Sequence, residues 1–405
     1  MMFRKLAAAA ALAIALGSAS GLAAAPPKPA PLTLLISIDA FRPDYLTRGV
    51  TPNLSGLAAG GAFAEMRPSF PSKTFPNHYT LVTGRRPDEN GIVANNMRDE
   101  AHPGVTFAMS NREAVKDGTW WDQAQPIWVT AEQAGMITAP IYWPGSEADY
   151  HGQHAHYTST FDVKTNSQAR VDMDLAVLDK PPAERPRFMT LYFDAVDTAG
   201  HHSGPDSPEL GAAAAEVDAA IGQLLAGLKA RGVVANIVIV SDHGMAPLSP
   251  DRRVFIDDIL TAGTYTTLDL GPIGTVYPAA GHEADVEKAL LAPREHMQCW
   301  RKADIPARFH YGKNPRVAPL FCLPETGWVV TTHKSRPPEK GDHGYDNFSP
   351  EMRATFIANG PAFRHGVTLK TFDNVDVYPL LAKLLGVTPQ PNDGNLADLA
   401  AALTK

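Results

Sequence analysis

Three short apolar runs, each leading into aspartate, limit this chain more than any other feature. Leu32–Ile38 (LTLLISI) runs into Asp39, Phe188–Phe193 (FMTLYF) into Asp194 and then Asp197, and Ala235–Val240 (ANIVIV) into Asp242. Continuous runs of this kind suit strands covered on both faces, as in a parallel sheet. Ile137–Tyr142 and Thr355–Ala358 are weaker candidates of the same type. Helical patterns lie between the runs. The clearest, Pro208–Arg231, stops before Gly232, a residue suited to the left-handed turn that ends helices. Strands alternating with helices predict an α/β fold: a doubly wound, mostly parallel sheet flanked by helices.

The 405 residues are enough for one main domain and an insert. Residues 1–25 read as a signal peptide, with Arg4 and Lys5 ahead of an apolar stretch, Leu6–Leu16, that is too short to span a bilayer. The expectation is a periplasmic or secreted protein, free of the membrane once that segment is cut. In an oxidising compartment the two cysteines, Cys299 and Cys322, are expected to pair. Both fall in residues 257–339, which read as a small α+β insert (cap) between the two parts of the main domain, 26–256 and 340–405. The net charge of −7 and the lack of a basic stripe argue against nucleic-acid polymers as partners.

In open α/β sheets, ligands bind beyond the carboxyl ends of the strands. One rim would therefore collect Asp39, Asp197 with His201 four residues on, and the pair Asp242–His243. The stretch GDHGYDN adds His343 between glycines, suited to a tight approach to a ligand. Taken singly, each has a plainer reading: strand-end aspartates often cap the next helix, and Asp197 and His201 have the spacing of a helical pair. Together, three Asp and three His suit divalent cations with mixed N/O ligation, Zn²⁺ best, with Mn²⁺ or Co²⁺ as alternatives. They exceed the needs of one tetrahedral zinc; two cations would use them all, with Thr74 as a further ligand.

Thr74 lies in PSKTFPNHYT, where a loop gives way to a helix that Pro76 is suited to start. It is either an N-cap or a nucleophile at a helix N-terminus suited to anions. A free threonine hydroxyl is a poor nucleophile, and coordination to a divalent cation makes its alkoxide accessible.

The stretches SIDAFRPDYL, PSKTFPNHYTLVTGRRPDENGIVANN, YWPGSEA, LYFDAVDTAGHHSGP, VSDHGM and GDHGYDN occur in an order that resembles the nucleotide pyrophosphatase/phosphodiesterases of the alkaline phosphatase superfamily. The resemblance implies two Zn²⁺ per chain, one held by Asp197, His201 and His343, the other by Asp39, Thr74, Asp242 and His243. It also implies attack by Thr74 through a phospho-threonine intermediate, with Asn95 donating to a phosphate oxygen and Asn96 structural. A nucleobase slot would include Phe75 and Tyr192, with Tyr157 or Phe161 as its third aromatic. The expected substrates are small nucleotides, cleaved at phosphodiester or pyrophosphate bonds to release nucleoside monophosphates. Alternatives on the same fold are a phosphomonoesterase, for which Arg85 and Arg86 do not look well placed, and a choline or lipid-headgroup phosphodiesterase. One departure is Ala40, where many members of the family have glycine.

Overall fold

The computed structural model describes residues 30–404. The expected signal peptide lies outside them. An eight-stranded sheet is built from β1 (Leu32–Ile38), β2 (Ala62–Arg67), β3 (Thr138–Pro140), β4 (Phe188–Phe193), β5 (Ala235–Val240), β6 (Ala354–Asn359), β7 (Val367–Thr368) and β8 (Phe372–Asp373). The order across it is β7-β2-β6-β5-β1-β4-β3, with β8 also pairing with β2. All seven residues of β1 are buried, as are all six of β4, so the apolar runs have the two-sided cover their composition calls for.

β5, β1, β4 and β3 run parallel. β6 does not: it is antiparallel to both β5 and β2, which corrects the expectation for Thr355–Ala358. An apolar run records two-sided burial but not direction. Helices flank the sheet, among them Pro208–Ala230, whose Ser207 side chain accepts from Leu210 N–H and which turns out through Gly232 at φ 62°.

Between β5 and β6 the chain forms a four-stranded antiparallel sheet of Tyr265–Thr267, Gly274–Pro278, Leu320–Pro324 and Met297–Arg301, with a helix at Glu283–Leu291. Cys299 lies directly opposite Cys322 in it, and the two form a disulfide. Phe309, Tyr311 and Phe321 of this segment pack in one apolar cluster with Phe70 and Tyr79. No helix among the described residues is long and apolar enough to cross a membrane.

Candidate active site

β5, β1 and β4 are neighbours at the centre of the sheet and end on the same rim. Asp39 follows β1 directly and Asp242 follows β5 by two residues. Asp197 and His201 sit on the helix Ala195–Ser203 that leaves β4. The helical i,i+4 pairing and a place in the cluster are therefore compatible: Asp197 Oδ1 lies 3.4 Å from His201 Nε2 and 3.7 Å from His343 Nε2.

The second cluster centres on His243 Nε2, which is 2.9 Å from Asp242 Oδ2, 3.3 Å from Asp39 Oδ1 and 3.3 Å from Thr74 Oγ1. The two clusters meet where the His243 and His343 rings stack, with centroids 3.5 Å apart. Asp197, His243 and His343 themselves form a group able to share a cation.

Thr74 is not an N-cap. Its helix spans Thr74–Thr83, Lys73 takes the cap position without a side-chain bond, and Pro76 stands at the third helical residue rather than at the start. The Thr74 hydroxyl is left facing His243. Pro76 has no N–H and the Phe75 N–H is taken by Asn95 Oδ1 at 3.0 Å, so the anion-binding capacity of this helix end narrows to the Thr74 N–H.

The donor set fits divalent cations. Each of the three expected histidine ligands gives its Nδ1 proton to a backbone carbonyl 2.9 Å away: His201 to Gly341, His243 to Gly244, His343 to Ser72. That leaves an Nε2 lone pair on each ring facing the carboxylates. Asp39 Oδ1, Asp197 Oδ1 and Asp242 Oδ2 are buried and receive no hydrogen bond. Lone pairs converging without protons between them are the signature of a cation site.

The crowding of carboxylates and imidazoles also perturbs their proton affinities in both directions. Burial, and then the charges of Asp242 and Asp197, push the Asp39 carboxyl well above the usual range. Burial pulls the same way on Asp242, but His243 and His78 outweigh it and hold Asp242 well below that range. Burial, then His243, Lys73 and His201, drive His343 well below an ordinary imidazole. Burial would lower His201 too, yet Asp197 overrides it and carries His201 to about 9.

The glycines around His343 do something other than admit a ligand. A Cβ on Gly341 would lie 2.4 Å from the Gly200 carbonyl, and one on Gly344 would lie 2.5 Å from Lys73 Cε. They let the protein's own groups close up around the imidazole. Ala40 sits at φ 56°, fully buried, with its N–H 3.3 Å from Asp242 Oδ1. The left-handed turn explains why glycine is the easier residue there.

Two residues of the site were not anticipated. His78, one helical turn past Thr74, gives Nδ1 to the Thr74 carbonyl at 2.9 Å, lies 3.4 Å from Asp242 Oδ2 and meets the Ser37 hydroxyl at 2.8 Å. Asp342 faces Lys73 Nζ at 3.6 Å and groups with His201 and His343. The i,i+4 spacing of Thr74 and His78 was the available signal for the first.

The aromatic residues divide. Tyr192 gives its hydroxyl to Asp39 Oδ2 at 2.6 Å, and its ring lies 6.0 Å from that of Phe161. Phe75 packs against Phe107 and Trp121, and only 7% of it is exposed. Tyr157 is elsewhere: its N–H bonds Thr138 at the start of β3 and its hydroxyl bonds Glu184 ahead of β4, at the rim opposite the aspartates. Phe161 rather than Tyr157 is the aromatic the fold brings beside Tyr192. Asn96 is tied to Asp269 at 2.6 Å, while Arg85 pairs with Asp393 and Arg86 with Asp373.

Residues 33–346 match the type I phosphodiesterase / nucleotide pyrophosphatase family. An uncharacterized pyrophosphatase/phosphodiesterase of Schizosaccharomyces pombe is 40% identical over 379 residues, 89% of this chain and 78% of that protein. The bis(5'-adenosyl)-triphosphatase enpp4 of Xenopus laevis is 36% identical over 374 residues, 91% and 81% of the two chains. Among solved structures, an inactive threonine-to-alanine variant of murine ectonucleotide pyrophosphatase/phosphodiesterase 5, in complex with AMP, superposes with a TM-score of 0.88 at 32% identity. It covers 92% of this chain and all of that one.

Proposed function

The chain belongs to the type I phosphodiesterase / nucleotide pyrophosphatase family of the alkaline phosphatase superfamily and is an enzyme of that kind; on that premise we propose that it is a secreted or periplasmic two-zinc hydrolase acting through Thr74. The observation that carries the reading is the hydroxyl of Thr74, 3.3 Å from His243 Nε2 and beside two carboxylate oxygens, Asp39 Oδ1 and Asp242 Oδ2, that have no protein donor. Asp39, Thr74, Asp242 and His243 would hold one Zn²⁺, and Asp197, His201 and His343 the other. When bound, the pair supplies Lewis-acid activation of the hydroxyl and charge stabilisation at the phosphorus.

The protein's own groups do the rest. Thr74 Oγ1 forms the bond to phosphorus, the bond to the leaving oxygen breaks with its electron pair, and the hydroxyl proton passes to solvent. Water then cleaves the phospho-threonine, releasing a nucleoside monophosphate and restoring the hydroxyl. Asn95, oriented by the Phe75 N–H, presents its amide to a phosphate oxygen. Tyr192 and Phe161 border the nucleoside side, with Phe75 as backing. The AMP bound by the murine relative and the inactivity of its threonine-to-alanine variant support both assignments.

A monoesterase would need added positive charge for the extra phosphate oxygen. Arg85 and Arg86 are committed to Asp393 and Asp373, which favours the diesterase. The test is Thr74→Ala, assayed for turnover of a nitrophenyl ester of a nucleoside monophosphate and for bound metal. Activity is expected to fall at least a thousandfold with two zinc per chain retained. Near-wild-type turnover would make water the direct nucleophile, and a metal content near zero in wild-type protein would remove the centre.

A further inference from the structure

Asn95 closes an irregular stretch, residues 91–95, between the helix Pro87–Asn90 and the short strand Asn96–Arg98. Ile92 and Val93 in it are buried, so its peptide groups need partners from elsewhere in the protein. Several of those partners come from residues 257–339. Arg316 Nη1 donates to the Gly91 carbonyl at 2.9 Å, and the Tyr311 hydroxyl donates to the Val93 carbonyl at 3.0 Å. Just past Asn95, the Asn96 amide donates to Asp269 Oδ1 at 2.6 Å, and Arg316 reaches on to the Asp99 carboxylate. One segment thus holds the chain on both sides of Asn95.

The holding groups are themselves fixed. The Asp269 N–H donates to Thr275 Oγ1 at 2.8 Å, and the Asp269 carbonyl accepts the Thr275 N–H at 3.0 Å. The Tyr311 ring packs edge-on against Phe70 and Phe321. A Cβ on Gly91 would lie 2.9 Å from Arg316 Nη1, so glycine there admits the guanidinium. Asp269 is a poor choice for stability alone. Its Oδ2 is buried with no donor, and burial, against Asn96 and Lys73, raises its carboxyl above the usual range. A buried carboxylate with one bare oxygen stabilises a fold weakly. On a rigid backbone it does fix the amide that it accepts.

Resting on the reading of Asn95 as a donor to the phosphate, we propose that residues 257–339 act as a clamp on the Asn95 loop, with Asp269 and Tyr311 as positioning residues for its amide. Asn95 is then held from three directions: through Val93 by Tyr311, through Asn96 by Asp269, and through its own Oδ1 by the Phe75 N–H. A donor preorganised in this way acts on the charge that develops in the transition state. Loosening it lowers kcat and leaves KM nearly unchanged. The segment thus contributes to the chemical step without touching the reacting atoms.

The experiment measures kcat and KM for the p-nitrophenyl ester of thymidine 5'-monophosphate. Wild type, Asp269→Ala, Asp269→Asn and Tyr311→Phe are assayed, each alone and combined with Asn95→Ala. Because a misplacement of about 1 Å can cost about a hundredfold, Asp269→Ala and Tyr311→Phe are expected to lower kcat by about tenfold with KM within about twofold. Asp269→Asn keeps an oxygen for the Asn96 amide and should stay close to wild type. In the Asn95→Ala background the same substitutions should change kcat by less than about twofold, since the donor they position is gone. Equal losses in both backgrounds, a loss carried by KM, unchanged kcat in the single variants, or an Asp269→Asn as slow as Asp269→Ala overturns the clamp. If Asp269→Ala does not fold, Tyr311→Phe, which removes one oxygen, decides alone. An Asn95→Ala with wild-type kcat refutes the donor reading itself, and the clamp with it.

Discussion

Asn95 offers a test in which a catalytic role and a structural one separate cleanly. Its Oδ1 accepts the Phe75 N–H at 3.0 Å, in the first turn of the helix that carries Thr74. That bond uses the oxygen and leaves the NH₂ group available as a donor. Asn95→Ala removes both functions. Losing one preorganised donor to the transition state costs about 3 kcal/mol, roughly 150-fold in kcat. Leaving the Phe75 N–H without its partner costs a further 1–3 kcal/mol of stability or so, a fall in Tm of about 1–4 °C for a chain this long. Asn95→Asp keeps the acceptor, and its charge at a helix N-terminus is favourable. It loses the donor and sets a negative charge beside an anionic substrate. Its turnover should therefore fall at least as far as that of Asn95→Ala while its Tm holds or rises. Steady-state kinetics on a nitrophenyl nucleotide ester, with thermal unfolding of the same samples, reads both. If Asn95→Asp keeps near-wild-type turnover, Asn95 is a helix-end partner and nothing more.

Replacing both Cys299 and Cys322 by Ser should lower stability by about 3 kcal/mol, the loop-entropy value for a sequence separation of 23. Denaturant unfolding checks this, and an unchanged midpoint would mean that strand pairing alone holds that loop. Asp376 gives a pH signature. Burial is the main cause that carries its carboxyl to about 7, helped by Asp398 and Asp373 and opposed by the Asn395 N–H. The folded state then holds this proton more tightly than the unfolded chain, whose aspartates titrate near 3.9. Its contribution to stability is present at low pH and lost as pH rises through about 7. Asp376→Asn should flatten the decline of Tm between about pH 4 and 7; a slope identical to wild type would place the pH dependence elsewhere.

The central strands and their terminal aspartates were legible because burial on both faces leaves an unbroken apolar run. β2 was not: its buried residues are Ala62, Ala64 and Met66, alternating with half-buried or exposed ones, and two alanines carry little strand signal. The direction of β6 depends on how the chain returns from residues 257–339, which no periodicity records. Thr74 was found, but whether it capped its helix depended on a one-residue shift in the helix start, within the ordinary uncertainty of such boundaries. His78 passed unnoticed because its partners include Ser37 and Asp242, remote in sequence and joined only by the fold. Tyr157 and Phe161 share one loop, and nothing local tells which of two aromatic residues turns toward the aspartate rim.

The three imidazole N–H groups anchored on the carbonyls of Gly341, Gly244 and Ser72 bear on how such a centre persists through evolution. A main-chain oxygen survives any change of side chain at its own position, so point substitution cannot delete these anchors. Only movement of the backbone itself can. The aim of each ring is thus inherited with the path of the chain, and an alignment of side chains would never reveal where it came from.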